Sequence, residues 1–537
     1  MSRQVPVLNV RSTGDVLQGE ALQQLSRVLP EFLATQRWYR AKAKTIKQTR
    51  IRDVIPMSEL QSYLVIVGVD YTDGECDTYL LPLSLSEAGG TRDPNPVATI
   101  RVPGGSDRTL SNALAEASFR GALLDAIACN REYEGREGVF LASRTDALDR
   151  KCGSTEPAVE SFVSRAEQSN SSIIFRERYI LKIFRKLESG INPDLEIGHF
   201  LARRGFRYTP ALCGDMQYRP RKGPPMYAGI LQAFVPNEGD AWKYTLESLS
   251  GYFGRTLGSA APPKLESYHP LDLCDEEVPA LARQTIGEYI ESARLLGRRT
   301  AQMHAALSDA QGEADFVPEP FSPDYRDVLY GEMMKEADRT FRLLRDKRDT
   351  LPAEAAEDAS RLLPSEADIR QRFSTLRDSR ITAMRIRQHG DYHLGQVLYT
   401  GDDFVIIDFE GEPARPLAER RSKTLAMRDV AGMIRSFSYA GYAALFGQVE
   451  GVPSDVHTKT AVESWASFWA AWVSATFLRA YFEQAAKLPF VSESAEERRM
   501  LFDAFVLQKA LYELAYELNN RPDWLPIPLR GILSLTS

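Results

Sequence analysis

The sequence predicts an α+β chain in three parts. These are a β-rich N-terminal segment over residues 1–105, a small α/β lobe over 106–236 and a large, mainly helical lobe over 237–537. Three observations carry this reading. β-branched and aromatic runs, broken by Asp-Gly, Gly-Gly and Pro, fill roughly the first hundred residues. A strand–strand–helix pattern begins near Ser161. Beyond Pro236 apolar residues recur at three-and-four spacing, the period of a helix with one buried face.

The elements follow in order. "LQQLSRVLPEFLATQRW" reads as a helix, and "IKQTRIRDVIPM", "QSYLVIVGVDYTDGECDTYLLPLSL" and "VATIRV" as strands. "GGTRDPNP" and "SRTDALDRKCGSTEPA" read as loops. "SSIIFRERYILKIFRKLE" supplies two strands, "NPDLEIGHFLARRG" a helix with Pro near its first turn, and "MYAGILQAFVP" a buried strand. "IGEYIESARLLGRRTAQMHAAL" and "FDAFVLQKALYELAYELNN" are expected helices.

The totals exclude several classes. Lys plus Arg (66) against Asp plus Glu (73) leaves −7, with no basic block, so a nucleic-acid partner has no electrostatic support. The opening "MSRQVPVLNVRSTGD" has no apolar leader. The longest mostly apolar run, Trp465 to Leu478, falls short of the ~20 residues that span a bilayer. No membrane association is expected. Five scattered Cys with no C-x-x-C argue against a structural zinc site and a disulfide framework, and fit a reducing cytoplasm.

Chemistry concentrates at "HGDYHLGQVLYTGDDFVIIDFEGEP". The turn "YTGDD" predicts a hairpin, which brings Asp391, Gln396 and Asp408 to one end of a sheet. Acid, amide and acid there suit phosphoryl transfer: one carboxylate orients an acceptor hydroxyl, and the other two groups offer oxygens to Mg²⁺ or Mn²⁺. Upstream, Lys182 sits in the apolar strand "YILKIF", and Glu196 follows on the next helix. A Lys–Glu pair of this kind holds nucleotide phosphates in kinase folds. No GxGxxG precedes Lys182 and no GxxxxGK[ST] occurs, which disfavours a P-loop. Ser169, Asn170, Ser171 and Ser172 form the corresponding turn, with hydroxyls and N–H groups for phosphates.

The block "HGDYHLGQVLYTGDDFVIIDFEGEPARPLAERR" with "RDVAGMIRSF" resembles the maltokinase family. So do "SNSSIIFRERYILKIFRKLESGINPDLEIGHFL", "LQAFVPNEGDAW", "KALYELAYELNNRPDWLPIPLRGIL" and the cap-like "LPEFLATQRWYRAK". The resemblance implies a bilobal, protein-kinase-like fold of the aminoglycoside phosphotransferase type, with an N-terminal cap subdomain. It implies ATP-dependent formation of maltose 1-phosphate, feeding α-1,4-glucan (glycogen) synthesis. It implies Asp391 as catalytic base, Gln396 and Asp408 as Mg²⁺ ligands, and Lys182, held by Glu196, on the ATP phosphates. Gln232 to Val235, including Phe234, would meet adenine as a hinge. His389 would buttress the catalytic loop, and His393 would either face the metal site or pack.

For the sugar, Glu412, Arg415, Glu419, Arg420 and Arg421 follow the metal site, and Lys509, Tyr512, Glu513 and Tyr516 share a helical face. Trp465, Trp469 and Trp472 form a stripe that reads as core or as a sugar platform. The alternatives are a kinase for another sugar or an aminoglycoside, and a catalytically weak module partnering trehalose synthase.

Overall fold

The computed structural model describes residues 4–57, 60–88, 90, 93–152, 160–164, 169–258, 260–452 and 456–536. Parts of the two expected loops, and of the turn before Ser171, lie outside these residues. The chain divides into two compact units, one of residues 1–202 with 210–236, the other of 203–209 with 237–537. The fold is α+β: a β-rich N-terminal part precedes a helical C-terminal part.

The first unit is built on two sheets. In the N-terminal sheet the order is Val7–Asn9, Ala98–Arg101, Arg108–Asn112, Cys76–Glu87, Ser62–Tyr71, Ile46–Met57. This sheet runs on through Asn112, past the expected end of the β-rich segment at 105. The helix Gly19–Thr35 packs Leu25, Leu29, Phe32 and Leu33 into the core that also holds Val65, Val67 and Leu81. The second sheet runs Glu132–Glu134, Gly138–Arg144, Leu212–Pro220, Met226–Ala233, Tyr179–Ile183, Ser171–Phe175, Ser161–Val163. The chain leaves Tyr179–Ile183 and within three residues pairs Lys186–Leu187 with Cys76–Glu87, so the strand that carries Lys182 leads directly into the N-terminal sheet.

One expectation is overturned here. Cys129 and Cys152 are joined by a disulfide, although they lie 23 residues apart with no motif between them. The helix Ala117–Ala128 ends at Cys129, and the Arg150–Asp125 ion pair (2.8 Å) draws the later segment back to that helix. The pairing is tertiary, so spacing alone does not reveal it. Cys76, Cys213 and Cys274 are free thiols.

The second unit is mainly helical. The helix expected across "IGEYIESARLLGRRTAQMHAAL" forms as Tyr289–Ser308, and Gly287, at φ +70°, separates it from the preceding helix Ala280–Ile286. Trp465, Trp469 and Trp472 are 3%, 0% and 3% exposed, so the stripe on Val456–Ala485 is core. Residues 203–209 join this unit: Ile406 N–H donates to the Tyr208 carbonyl (2.8 Å), and Arg203 pairs with Glu313 (2.6 Å). Among the described residues no helix is long and apolar enough to cross a membrane.

Candidate active site

In the helical unit the predicted hairpin forms. Val397–Tyr399 pairs antiparallel with Phe404–Ile406, and Asp408 follows two residues later at φ +66°. Asp tolerates this left-handed conformation better than most side chains. Asp408 and Glu410 bring carboxylate oxygens within 4.8 Å of each other. Glu410 was not singled out in the sequence; its signal was the third position of D-F-E.

The loop before the hairpin is anchored from beneath. The N–H groups of His389 and Gly390 donate to the two oxygens of Asp429, at 2.8 and 3.0 Å. Asp429 is 1% exposed, on the helix Met427–Ala443. Burial pushes its carboxyl up, but His304 (3.1 Å), His389 and the Gly390 amide outweigh this and hold it below the usual carboxylate range. The other nitrogen of His304 meets Tyr481 Oη at 2.9 Å. Two glycines make the close approach possible. Gly390 sits at φ +86°, and a Cβ on Gly432 would lie 2.5 Å from the Tyr392 carbonyl oxygen. Asp429 and His304 hold this loop, and motif reading gave neither of them a role. For Asp429 the signal was an acid inside the apolar run "RDVAGMI".

His389 Nε2 lies 2.8 Å from the Ile407 carbonyl, and Nδ1 lies 3.4 Å from the Asp391 N–H. These partners assign the proton to Nε2. His393 Nδ1 accepts from Gly395 N–H at 3.1 Å and so caps the 3₁₀ turn Leu394–Gln396. Burial lowers the His393 pKa against the opposing pull of Asp391, so the ring is neutral and able to accept. Gln396 is half-buried, and its carbonyl accepts from Ile407 N–H at 3.0 Å.

Around Asp391 the structure gathers Lys509, Glu412 and Tyr512. Lys509 Nζ is 3.5 Å from Asp391, and Tyr512 donates to Glu412 at 3.0 Å. Burial would lower the Lys509 pKa, but Asp391, Glu412 and Glu513 raise it above the ordinary value, so Lys509 stays an ammonium. Burial and the Asp391 charge raise the Glu412 carboxyl. The remaining expected sugar contacts are engaged elsewhere. Glu513 is held by Arg435 (2.7 Å), and Arg415 is drawn to Glu332 (3.1 Å), which Arg428 also clasps (3.1 Å). Glu419 is exposed, 3.7 Å from Arg415, and Arg421 faces Asp315 at 3.8 Å.

The first unit carries the expected nucleotide residues. Lys182 lies opposite Ser172 on one side and Ile230 on the other, and Ile230 lies opposite Asp215. Directly opposed residues share a face of the sheet, so Asp215 stands in line with Lys182. Glu196 is in the first turn of Pro193–Arg203 and adds to the negative field on Tyr227. Gln232 belongs to Met226–Ala233, and Phe234 N–H donates to the Arg178 carbonyl at 2.9 Å; Val235 follows.

Ser171 and Ser172 depart from expectation. They begin the strand Ser171–Phe175, opposite Ile183 and Lys182, and are 8% and 1% exposed. Ladder pairing extends to the serines, so they do not form an open phosphate-cradling turn. The Ser171 hydroxyl accepts from Arg185 Nε at 2.9 Å, and the Arg185 guanidinium lies 5.0 Å from the centre of the Trp38 ring. A residue of the cap-like "RWYRAK" is thereby connected to this strand.

Asp215 gives a stability prediction. Burial pushes its carboxyl up to about 6. Its proton is held to higher pH in the folded than in the unfolded chain, so ionisation above about pH 6 costs stability that is regained as pH falls towards 4. Asp215→Asn is expected to stabilise the protein at pH 7.5 by about 1–3 kcal/mol and to flatten its pH dependence between about 4 and 7. Urea unfolding at several pH values reads this. An Asn variant no more stable than the parent at pH 7.5 would refute it.

Residues 32–115 match the family model of the maltokinase N-terminal cap domain, and residues 277–411 that of the phosphotransferase enzyme family. A glucosamine kinase from Streptacidiphilus jiangxiensis is 24% identical over 460 residues, 84% of each chain. One from Mycolicibacterium smegmatis is 23% identical over 404 residues, 71% of this chain and 84% of the other. Among solved structures, a glucosamine kinase in complex with glucosamine, ADP and inorganic phosphate superposes with TM-score 0.60 at 20% identity. It covers 94% of this chain and 98% of that one. The maltokinase resemblance read from the sequence is thus matched in the cap, and the fold is that of the kinase-like phosphotransferases.

Proposed function

We propose that the protein transfers the γ-phosphoryl group of ATP to the anomeric hydroxyl of maltose, giving ADP and maltose 1-phosphate. The observation that carries this reading is the Asp391 carboxylate, on a loop anchored at Asp429 and flanked by Lys509, Glu412 and Tyr512. Asp391 orients the acceptor hydroxyl and collects its proton late in a loose transition state. Glu412 and Tyr512 supply hydrogen-bonding groups beside it for the sugar. The anomeric hydroxyl is the most acidic of the sugar, which suits a base of modest strength. Lys182, with Glu196, serves the ATP phosphates, and Gln232 to Val235 the adenine. The cap match favours maltose as acceptor. Maltose 1-phosphate would feed α-1,4-glucan (glycogen) synthesis, with trehalose synthase as a source of maltose.

A second reading is glucosamine as acceptor. One relative of that name spans 84% of each chain, and the adjacent Asp391 and Glu412 carboxyls suit an ammonium group. ³¹P NMR of products from maltose, glucose, glucosamine, trehalose and an aminoglycoside, each with ATP and Mg²⁺, separates the two. Maltose is expected to turn over fastest, with phosphate at the anomeric carbon. Trehalose is expected to fail, because both its anomeric oxygens are tied up. Faster turnover of glucosamine, or a 6-phosphate product, would replace maltose as the acceptor.

The donor set at the end of the hairpin fits a hard divalent cation: Asp408, Glu410 and Gln396 offer only oxygens as ligands. Mg²⁺ there would neutralise phosphate charge. Removing Mg²⁺ with EDTA is expected to abolish turnover, and Asp408→Ala to raise the Mg²⁺ concentration needed for half-maximal rate. An unchanged Mg²⁺ dependence in Asp408→Ala would remove Asp408 from the ligand set.

A further inference from the structure

One cavity of the helical unit, about 1220 Å³, does not include Asp391, Glu412, Lys509 or Tyr512 in its walls. It exceeds the ~300–1,000 Å³ of common small-ligand sites. We propose that it is a second ligand site, built for a neutral oligosaccharide.

The electrostatics argue for neutrality. Four of the five wall arginines have carboxylate partners: Arg361 with Asp358 (3.3 Å), Arg435 with Glu513 (2.7 Å), Arg530 with Asp358 (2.9 Å) and Arg499 with Asp272; Arg372 is the fifth. Among the wall acids, Glu354, Asp358 and Glu463 meet Arg530, and Asp503 is hydrogen-bonded to His269 (2.7 Å). At each of these pairs a phosphate or an amine would have to displace an existing partner, at the cost of leaving a partly buried charge uncompensated. A ligand of hydroxyl groups breaks none of these pairs. It takes hydrogen bonds from arginine N–H groups and gives them to carboxylate lone pairs.

The hydroxyls of the wall point the same way. Ser438, Ser464, Ser467 and Ser534 donate to the carbonyls of Ile434, Thr460, Glu463 and Gly531, at 3.1, 2.9, 2.9 and 2.9 Å. A serine has one proton and two lone pairs, so each of these, its proton spent on the helix, is left as an acceptor, and Ser467 already takes one hydrogen bond from Tyr442 Oη (2.9 Å). Acceptors from serines on three helices and donors from arginines surround one space, which matches the alternating donor–acceptor edge of a sugar. Tyr268, 42% exposed in the same wall, gives a ring face for the apolar side of a pyranose.

The test is calorimetric titration of the full chain with maltoheptaose as probe. Tyr268→Ala removes the ring, and Ala470→Trp fills the cavity from the half-buried face of Val456–Ala485. Tyr512→Ala, outside the cavity, reports on the acceptor site. Both cavity variants are expected to weaken maltoheptaose binding at least about fivefold, the effect of losing a contact residue worth ~1 kcal/mol, with phosphoryl transfer unchanged. Tyr512→Ala is expected to leave this binding in place. The proposal falls if the parent does not bind maltoheptaose, or if both cavity variants bind it as the parent does. It falls too if a sulfated oligosaccharide of equal length binds more tightly. The kinase assay is independent of these outcomes, so a failed acceptor assignment would not be mistaken for a failed cavity.

Discussion

Asp391→Asn is expected to lower kcat at least about a hundredfold while nucleotide binding stays within about twofold of the parent. The substitution keeps the size of the side chain and removes its charge and its capacity to take a proton. Its structural cost is small. Asp391 is 19% exposed at the side chain, and the loop is held through the amides of His389 and Gly390 rather than through Asp391 itself. Lys509 keeps Glu412 and Glu513 as counter-charges. A loss of rate with an unchanged unfolding curve and unchanged ADP binding therefore reports on chemistry. A variant that retained most of its turnover would reduce Asp391 to a turn residue, and Glu412 would become the base to test.

Local patterns were legible wherever one segment sufficed. "YTGDD" between two apolar runs specifies a hairpin, and the strands Val397–Tyr399 and Phe404–Ile406 form it. "IKQTRIRDVIPM" is the strand Ile46–Met57, and the tryptophan spacing that allowed either core or platform is resolved by burial as core. What failed needed a second segment. Cys129 meets Cys152 where Arg150 folds back on Asp125. Ser171 and Ser172 read as a turn until their pairing with Ile183 and Lys182 is known. The acceptor side was only partly legible for the same reason. Glu412 and Tyr512, a hundred residues apart, meet, whereas Glu513 is claimed by Arg435 and Arg415 by Glu332.

Asp429 shows most clearly how a residue outside the catalytic loop governs it. It is expected that Asp429→Ala costs about 3–5 kcal/mol of stability, because it leaves the His389 and Gly390 amides and His304 without their buried acceptor. Asp429→Asn is the more informative change. Its single carbonyl oxygen can serve one of the two amides, while its NH₂ faces the other donor. The loop should persist with one anchor fewer, and Asp391, one residue beyond Gly390, should lose its fixed position. A displacement of about 1 Å at a reacting group is enough to cost roughly a hundredfold in rate. The expected result for Asp429→Asn is therefore a kcat lowered tenfold or more (~), with the KM for ATP within about threefold, since Lys182 and its strand lie in the other compact unit. His304→Gln, which can still donate to Asp429, is expected to retain more activity than His304→Ala. Steady-state kinetics on the three variants, with urea unfolding in parallel, read both effects. If Asp429→Asn lost stability but kept kcat, the residue would be a structural anchor without influence on Asp391. If it lost ATP affinity and kcat together, the damage would extend beyond the catalytic loop.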